Sequence, residues 1–142
     1  MNGTGKKTAG YSDTPLAKKL GFKEFARVRV SNAPANYLAL VSLRPENVRI
    51  SHSIRKNIDI WHFFTKSAVL LDNNLPKMLQ TINQDGMIWV SWPKKASGVR
   101  TDVTEDTIRT IALPLGLVDV KVCAVDETWS GLKLVIRKEL RK

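Results

Sequence analysis

Cysteine is almost missing from this chain: Cys123 is the only one among 142 residues. It excludes an internal disulfide and a cysteine-rich metal site, and it fits a reducing compartment. Histidine is nearly as scarce. His52 and His62 have no Cys, His or carboxylate partner at metal-ligand spacing, so no metal is expected. The segment from Met1 to Tyr11 lacks the apolar stretch of a secretory signal, and no apolar run is long enough to span a bilayer. A cytoplasmic location is therefore the expectation. Phosphate-binding P-loop, nucleophile-elbow and metalloprotease signatures are all absent.

What is present suffices for a globular domain. Hydrophobic residues make up 43% of the chain, too many for a disordered segment. A chain of this length has room for one domain and for a core that needs no staples. The formal net charge is +10. Such a balance suits an anionic partner, but it is equally that of a solvated basic surface. Much of the excess is scattered near the ends, at Lys6, Lys7, Lys18, Lys19, Arg137, Lys138, Arg141 and Lys142. That placement favours the solvated surface.

Residues 1–12 read as a flexible tail and 13–142 as a single domain. Thr14–Pro15 opens a short helix, preceded by the favourable negative charge of Asp13 and closed by Gly21. A first strand runs from Arg27 to Asn32, and Ala33–Pro34 leads into a helix over Ala35–Leu43. A short strand near Val48–Ser51 follows. Asp59–Thr65 is apolar on both faces at Ile60, Trp61, Phe63 and Phe64, as a buried parallel strand would be. Ser67 caps a helix through Leu71, and a second helical piece begins at Leu75–Pro76 and ends by Gly86. Met87–Trp92 is the fourth strand.

Thr104 caps a helix whose Ile108, Ile111, Ala112 and Leu115 share one face. Two alternating runs, Val118–Ala124 and Leu132–Ile136, then flank a turn around Asp126–Gly131 and predict an antiparallel hairpin. The alternation puts Cys123 on the same face as Asp119 and Lys121. The fold class is α/β: a Rossmann-like, mostly parallel sheet with helices on both faces and a C-terminal antiparallel β-hairpin. Class I methyltransferases end in such a hairpin too, a likeness of fold alone.

In open parallel sheets ligands bind beyond the carboxyl ends of the strands, where the strand order reverses. That rule selects the loops at Asn32–Pro34, Thr65–Ser67 and Trp92–Gly98, with the hairpin tip Asp126–Ser130. Lys94, Lys95 and Ser97 beside Gly98 offer two cations, a hydroxyl and an open backbone to an anion, or else form a solvated loop. Asp126 and Glu127 could act as acid and base or grip a cation; an acidic pair is also ordinary at a turn. They are expected to face Lys94 and Lys95 across one rim. Trp129 could stack on a ligand or close the core, whereas Trp61, Trp89 and Trp92 read as core. His62 in an apolar strand reads as a satisfied core histidine. Asn32, Thr65, Lys94, Lys95, Ser97, Asp126, Glu127 and Trp129 are thus the candidate ligand-binding residues, with no catalytic residue among them.

An adenosyl cofactor fits this pattern poorly. The loop after the first strand is Ser31–Asn32–Ala33–Pro34–Ala35, without glycine, and Pro34 removes an N–H donor. After the second strand, Ser51–His52–Ser53 offers no carboxylate to ribose hydroxyls. No cofactor is expected.

The stretches TPLAKKLG from Thr14, WPKKASGV from Trp92 and DETWSGLKLV from Asp126 resemble an uncharacterised bacterial family, a domain of unknown function. The likeness covers nearly the whole domain and is close over the last fifty or so residues. It implies a shortened methyltransferase-type sheet in a bacterial cytosol and supplies no mechanism. Three functions remain in competition. One is a non-catalytic binding or regulatory module for a small anionic ligand or an acidic protein segment. Another is a divergent S-adenosylmethionine-dependent methyltransferase. The last is a non-specific nucleic-acid binder, disfavoured because recognition-helix and RRM-type motifs are missing. The first is preferred, and the missing glycine loop argues against an enzyme.

Overall fold

The computed structural model describes residues 14–142, so Asp13 and the expected tail lie outside the described residues. Six strands form one sheet in the order β2-β1-β3-β4-β6-β5. Their ranges are β1 Arg27–Ser31, β2 Arg49–Ser51, β3 Ile58–Phe64, β4 Ile82–Pro93, β5 Leu117–Ala124 and β6 Trp129–Ile136. The pairs β1/β2, β1/β3 and β3/β4 are parallel. β6 inserts between β4 and β5 and runs against both. The sheet is therefore mostly parallel with a C-terminal antiparallel hairpin, and β5 is its far edge.

Side chains alternate along each strand, so the sheet has two buried faces. One carries Trp61, Phe63, Ile88, Val90, Trp92, Leu132, Leu134 and Ile136. Against it pack α3 (Ala68–Thr81), through Leu71, Leu75 and Met78, and α4 (Glu105–Ala112), through Ile108 and Ala112. Thr104 caps α4 in a reciprocal box with Thr107. The other face carries Val28, Val30, Ile60, Phe64 and Trp89. Its cover is thinner: α1 (Leu16–Lys19), α2 (Tyr37–Leu40) and the segment through Leu20, Phe22 and Ala26. No helix among the described residues is long and apolar enough to cross a membrane.

Several expectations are corrected. The two helical pieces around Pro76 are one helix, α3, ending at Thr81. Proline removes one helical hydrogen bond, but Leu71, Leu75 and Met78 recur on one side and hold that helix to the sheet. The expected helical end at 82–86 belongs instead to β4. Gly86 does not stop a helix; it sits beside the β3/β4 irregularity, where a Cβ would lie 2.9–3.1 Å from the carbonyl oxygens of Asn83, Asp59 and Ile58. α2 covers only four residues. α1 starts at Leu16 with Pro15 as N-cap and no side-chain cap bond. In β5 the register slips between Asp119 and Lys121. This bulge sends Asp119 to Arg109 of α4, at 2.9 Å, while Cys123 packs on the opposite face.

Candidate ligand cleft

The strand order reverses between β1 and β3, whose carboxyl ends lie side by side. A cleft of about 390 Å3 opens there, lined by Asn32, Pro34, Phe64, Thr65, Lys66, Ser67, Leu70 and Trp129. Three of the eight expected site residues, Asn32, Thr65 and Trp129, line it.

Asn32 leaves β1 with φ 58°, a left-handed turn that asparagine tolerates better than most residues. It takes the conformational role of the missing glycine. Its amide also donates to the Phe64 carbonyl at 3.2 Å, bridging the ends of β1 and β3. Thr65 is buried, and its backbone N–H continues the ladder to the Ser91 carbonyl. Its hydroxyl accepts from the Ser67 N–H at 3.0 Å. The Ser67 hydroxyl caps α3 by accepting from the Leu70 N–H at 3.1 Å. The Asp102 carboxylate accepts from the Ala68 N–H at 2.8 Å and so already supplies negative charge to the start of α3. Lys66 is held through its carbonyl, which accepts from the Thr101 hydroxyl at 2.8 Å. Its exposed side chain is the sole charged group lining the cleft.

The opposite wall is aromatic. The half-buried Trp129 meets Phe64 edge to face, centroids 5.1 Å apart. Phe64 stacks on His62 at 4.2 Å and 23°. His62 is fully buried, with Nδ1 2.9 Å from the Tyr37 hydroxyl and Nε2 2.7 Å from the Ser91 hydroxyl. Burial pushes its pKa down to about 3, so the imidazole is neutral at ordinary pH. Burial likewise raises the Tyr37 phenol. This Tyr37–His62–Ser91 chain stands behind the Phe64–Trp129 wall, satisfies its own polar atoms and supports that wall.

The remaining candidates form a neighbouring rim. Pro93 pairs with Trp129, and the Lys94 N–H donates to the Thr128 carbonyl at 2.8 Å, so the dilysine loop and the acidic turn are adjacent. None of Lys94, Lys95, Ser97, Asp126 and Glu127 lines the cleft. The Ser97 hydroxyl donates to the Lys94 carbonyl at 2.7 Å and accepts from the Val99 N–H at 3.1 Å. Asp126 accepts from the Thr128 and Trp129 N–H groups, at 2.8 and 2.7 Å, and so fixes the turn. No ion pair among the described residues joins the lysines to the acids; all the ion pairs described there involve Arg109. Phe64 and Leu70, as an apolar strand residue and an apolar helix residue, gave no sign in the sequence that they face a cleft.

An adenosyl cofactor would need partners for an ammonium group and two ribose hydroxyls. The cleft lining holds no carboxylate. At the end of β2, Ser51 and Ser53 bond to one another at 2.9 Å. These residues do not fit the cofactor in the usual way.

Comparison with solved structures nevertheless gives a clear architectural answer. The ribosomal protein L11 methylase of Lactobacillus delbrueckii subsp. bulgaricus aligns with TM-score 0.57 and 10% identity, over 84% of this chain and 74% of that one. A putative methyltransferase from Thermoplasma acidophilum aligns with TM-score 0.54 and 10% identity, over 89% and 76%. The fold is that of a class I methyltransferase. Mitomycin 7-O-methyltransferase aligns with TM-score 0.63 and 9% identity, but this chain spans only 53% of its length. No family model matches the chain, and no curated protein does. The resemblance to an uncharacterised bacterial family thus stands on its motifs alone.

Proposed function

We propose that this chain is a methyltransferase-fold protein that binds a nucleoside-sized ligand in the β1–β3 cleft. One observation carries the reading: an open cleft of about 390 Å3 coincides with the reversal of strand order, where this architecture seats its ligands. Pro34, Leu70 and the Trp129 indole would hold an apolar or planar body, and Lys66 an anionic group. A non-catalytic binding role accords with the lining, which lacks a general acid or base of carboxylate or exposed imidazole type. The adjacent Lys94–Lys95 rim could extend the anionic end of the site, with Ser97, Asp126 and Glu127 shaping the loops rather than touching ligand.

The shared architecture favours a second reading, S-adenosylmethionine-dependent methyl transfer. Thermal unfolding with nucleotides, inorganic phosphate, acidic metabolites, S-adenosylmethionine and S-adenosylhomocysteine separates the two. A ligand at 100 times its Kd should stabilise the fold by about 2.7 kcal/mol, and Trp129→Ala should abolish that gain. Saturable micromolar calorimetric binding of S-adenosylmethionine would install the methyltransferase reading. Silence across the whole panel would remove the cleft as a site.

A further inference from the structure

Away from the cleft, the four lysines Lys19, Lys23, Lys121 and Lys133 converge on the thinly covered face. Lys121 and Lys133 stand directly opposite one another on β5 and β6, an arrangement of like charges that costs stability. Both point to the α1 side: Lys133 follows Gly131, whose Cα faces Trp89 and Ser91, and Lys121 precedes Cys123, which packs there. Trp89 donates its indole N–H to the Leu20 carbonyl at 2.9 Å, which fixes the segment bearing Lys19 and Lys23 over the same region. Burial, then Lys121, then Lys23 lower the pKa of Lys133, and Lys19 and Lys121 both act on Cys123. None of the four lysines belongs to an ion pair among the described residues.

A second observation lies beside them. Phe25 is 68% exposed and has φ 67°, a left-handed conformation that a bulky side chain rarely adopts. It borders a groove of about 270 Å3 with Lys23, Gly21 and Met87. Met87 lies on β4 two residues before Trp89, the register partner of Lys133. Glu24, Asp59 and Asp85 line this groove too. Asp59 is engaged by the Arg27 N–H and the Asn83 amide, both at 2.9 Å. Carboxylates on that wall repel phosphate, which leaves the lysine side for the backbone of a polyanion and the Phe25 side for its uncharged parts.

We propose that this face is a binding track for single-stranded nucleic acid, with phosphates on Lys19, Lys23, Lys121 and Lys133 and a base stacked on Phe25. Lysines clustered on one face beside an exposed aromatic ring supply two elements of sequence-tolerant single-strand recognition, phosphate neutralisation and base stacking. Glu24, Asp59 and Asp85 beside Phe25 would repel an anionic bilayer laid flat on this face, whereas a strand can turn its uncharged bases toward them. It is separate from the β1–β3 cleft, and either can fail without the other.

Fluorescence anisotropy with labelled dT12 and rU12 tests it across a salt series. Neutralising four phosphates predicts a slope of log K against log salt of about −2.8. Lys121→Glu/Lys133→Glu should weaken binding at least tenfold and flatten the slope by about 1.4. Phe25→Ala should lose about tenfold at fixed salt with the slope unchanged. The control Arg55→Glu/Lys56→Glu makes the same charge change on an exposed loop outside the track, and it should leave affinity within about twofold of the parent. Equal losses in both double variants would reduce the effect to net charge and overturn the proposal. So would duplex binding as tight as single-strand binding, a silent Phe25→Ala, or phosphatidylserine vesicles bound through the same lysines in preference to oligonucleotide. Circular dichroism of each variant confirms that it is folded, and Phe25→Gly, which accepts the same φ, provides a second stacking-deficient variant.

Discussion

The two faces of the sheet are built on different principles. The α3/α4 face is apolar over β4 and β6, and polar only toward β1, where Arg29 and Ser31 meet Trp61. It is closed by a helix of 14 residues and one of eight, with Leu71, Leu75, Ile88, Ile108 and Leu134 fully buried. The α1/α2 face has two four-residue helices, a buried Tyr37–His62–Ser91 chain, lysines with no ion pair among the described residues and a strained exposed phenylalanine. The first face holds the sheet together. The second accepts polar burial, charge repulsion and backbone strain, features that a structure optimised for stability alone would omit. Both the cleft wall of Phe64 and Trp129 and the lysine track belong to it.

That contrast is broken most forcefully on the apolar side. Leu75 is fully buried in α3, and Leu75→Ala removes its packing in a helix already lacking a hydrogen bond at Pro76. The expected cost is about 2–5 kcal/mol, read from urea midpoints. Leu16→Ala, at a partly buried position in the thin α1 layer, should cost distinctly less. Equal losses would show that the two faces contribute alike.

The second test uses pH. His62 has a pKa of about 3 when folded against 6.5 when free. Between these values the unfolded chain binds a proton that the native chain does not, so stability rises with pH in that window and is level above it. Acidification from pH 6.5 should therefore remove about 1.4 kcal/mol per pH unit from this group alone. Protonation would give a buried imidazolium with two hydroxyl neighbours and no carboxylate. Denaturant titrations from pH 8 to pH 4 measure the slope. His62→Phe should lose this slope while keeping whatever the carboxylates contribute; an unchanged acid limb in that variant would mean that His62 takes up a proton without unfolding.

How far the sequence reveals this arrangement depends on whether the cause is local. β3 is legible because Ile60 to Phe64 is apolar on both sides, and α4 because Thr104 and the Ile108–Ile111–Ala112 spacing act within one turn or two. α3 is misread at Pro76 because its persistence depends on what Leu75 and Met78 meet across the sheet. Asn32, Thr65 and Trp129 are found by topology: strand order and element ends suffice to place them at the cleft. Ser97 and Asp126 are polar in sequence, but hydrogen bonds to their own loops engage them. Phe64 and Leu70 carry no polar mark. The lysine track escapes notice because Lys19, Lys23, Lys121 and Lys133 are far apart in the chain, and only the bulge in β5 sets Lys121 opposite Lys133.

The smallest effect is also the most specific, because it asks whether that opposition is tolerated for function rather than for stability. Lys121→Glu replaces a repulsive cross-strand pair by an attractive one without touching the apolar core. Cross-strand pairs are worth about 0.2–1 kcal/mol, so this variant should unfold at slightly higher urea than the parent, and the gain should shrink in molar salt. Lys133→Glu should behave in the same way, whereas the double variant restores like charges and should lose the benefit. Stabilisation by each single reversal, abolished in the double, marks the pair as a site where stability has been given up. If the singles destabilise instead, the lysine stems are packing against Trp89 and the edge strand more than their ammonium groups repel, and the thin face is closer to the other in design than its charges suggest.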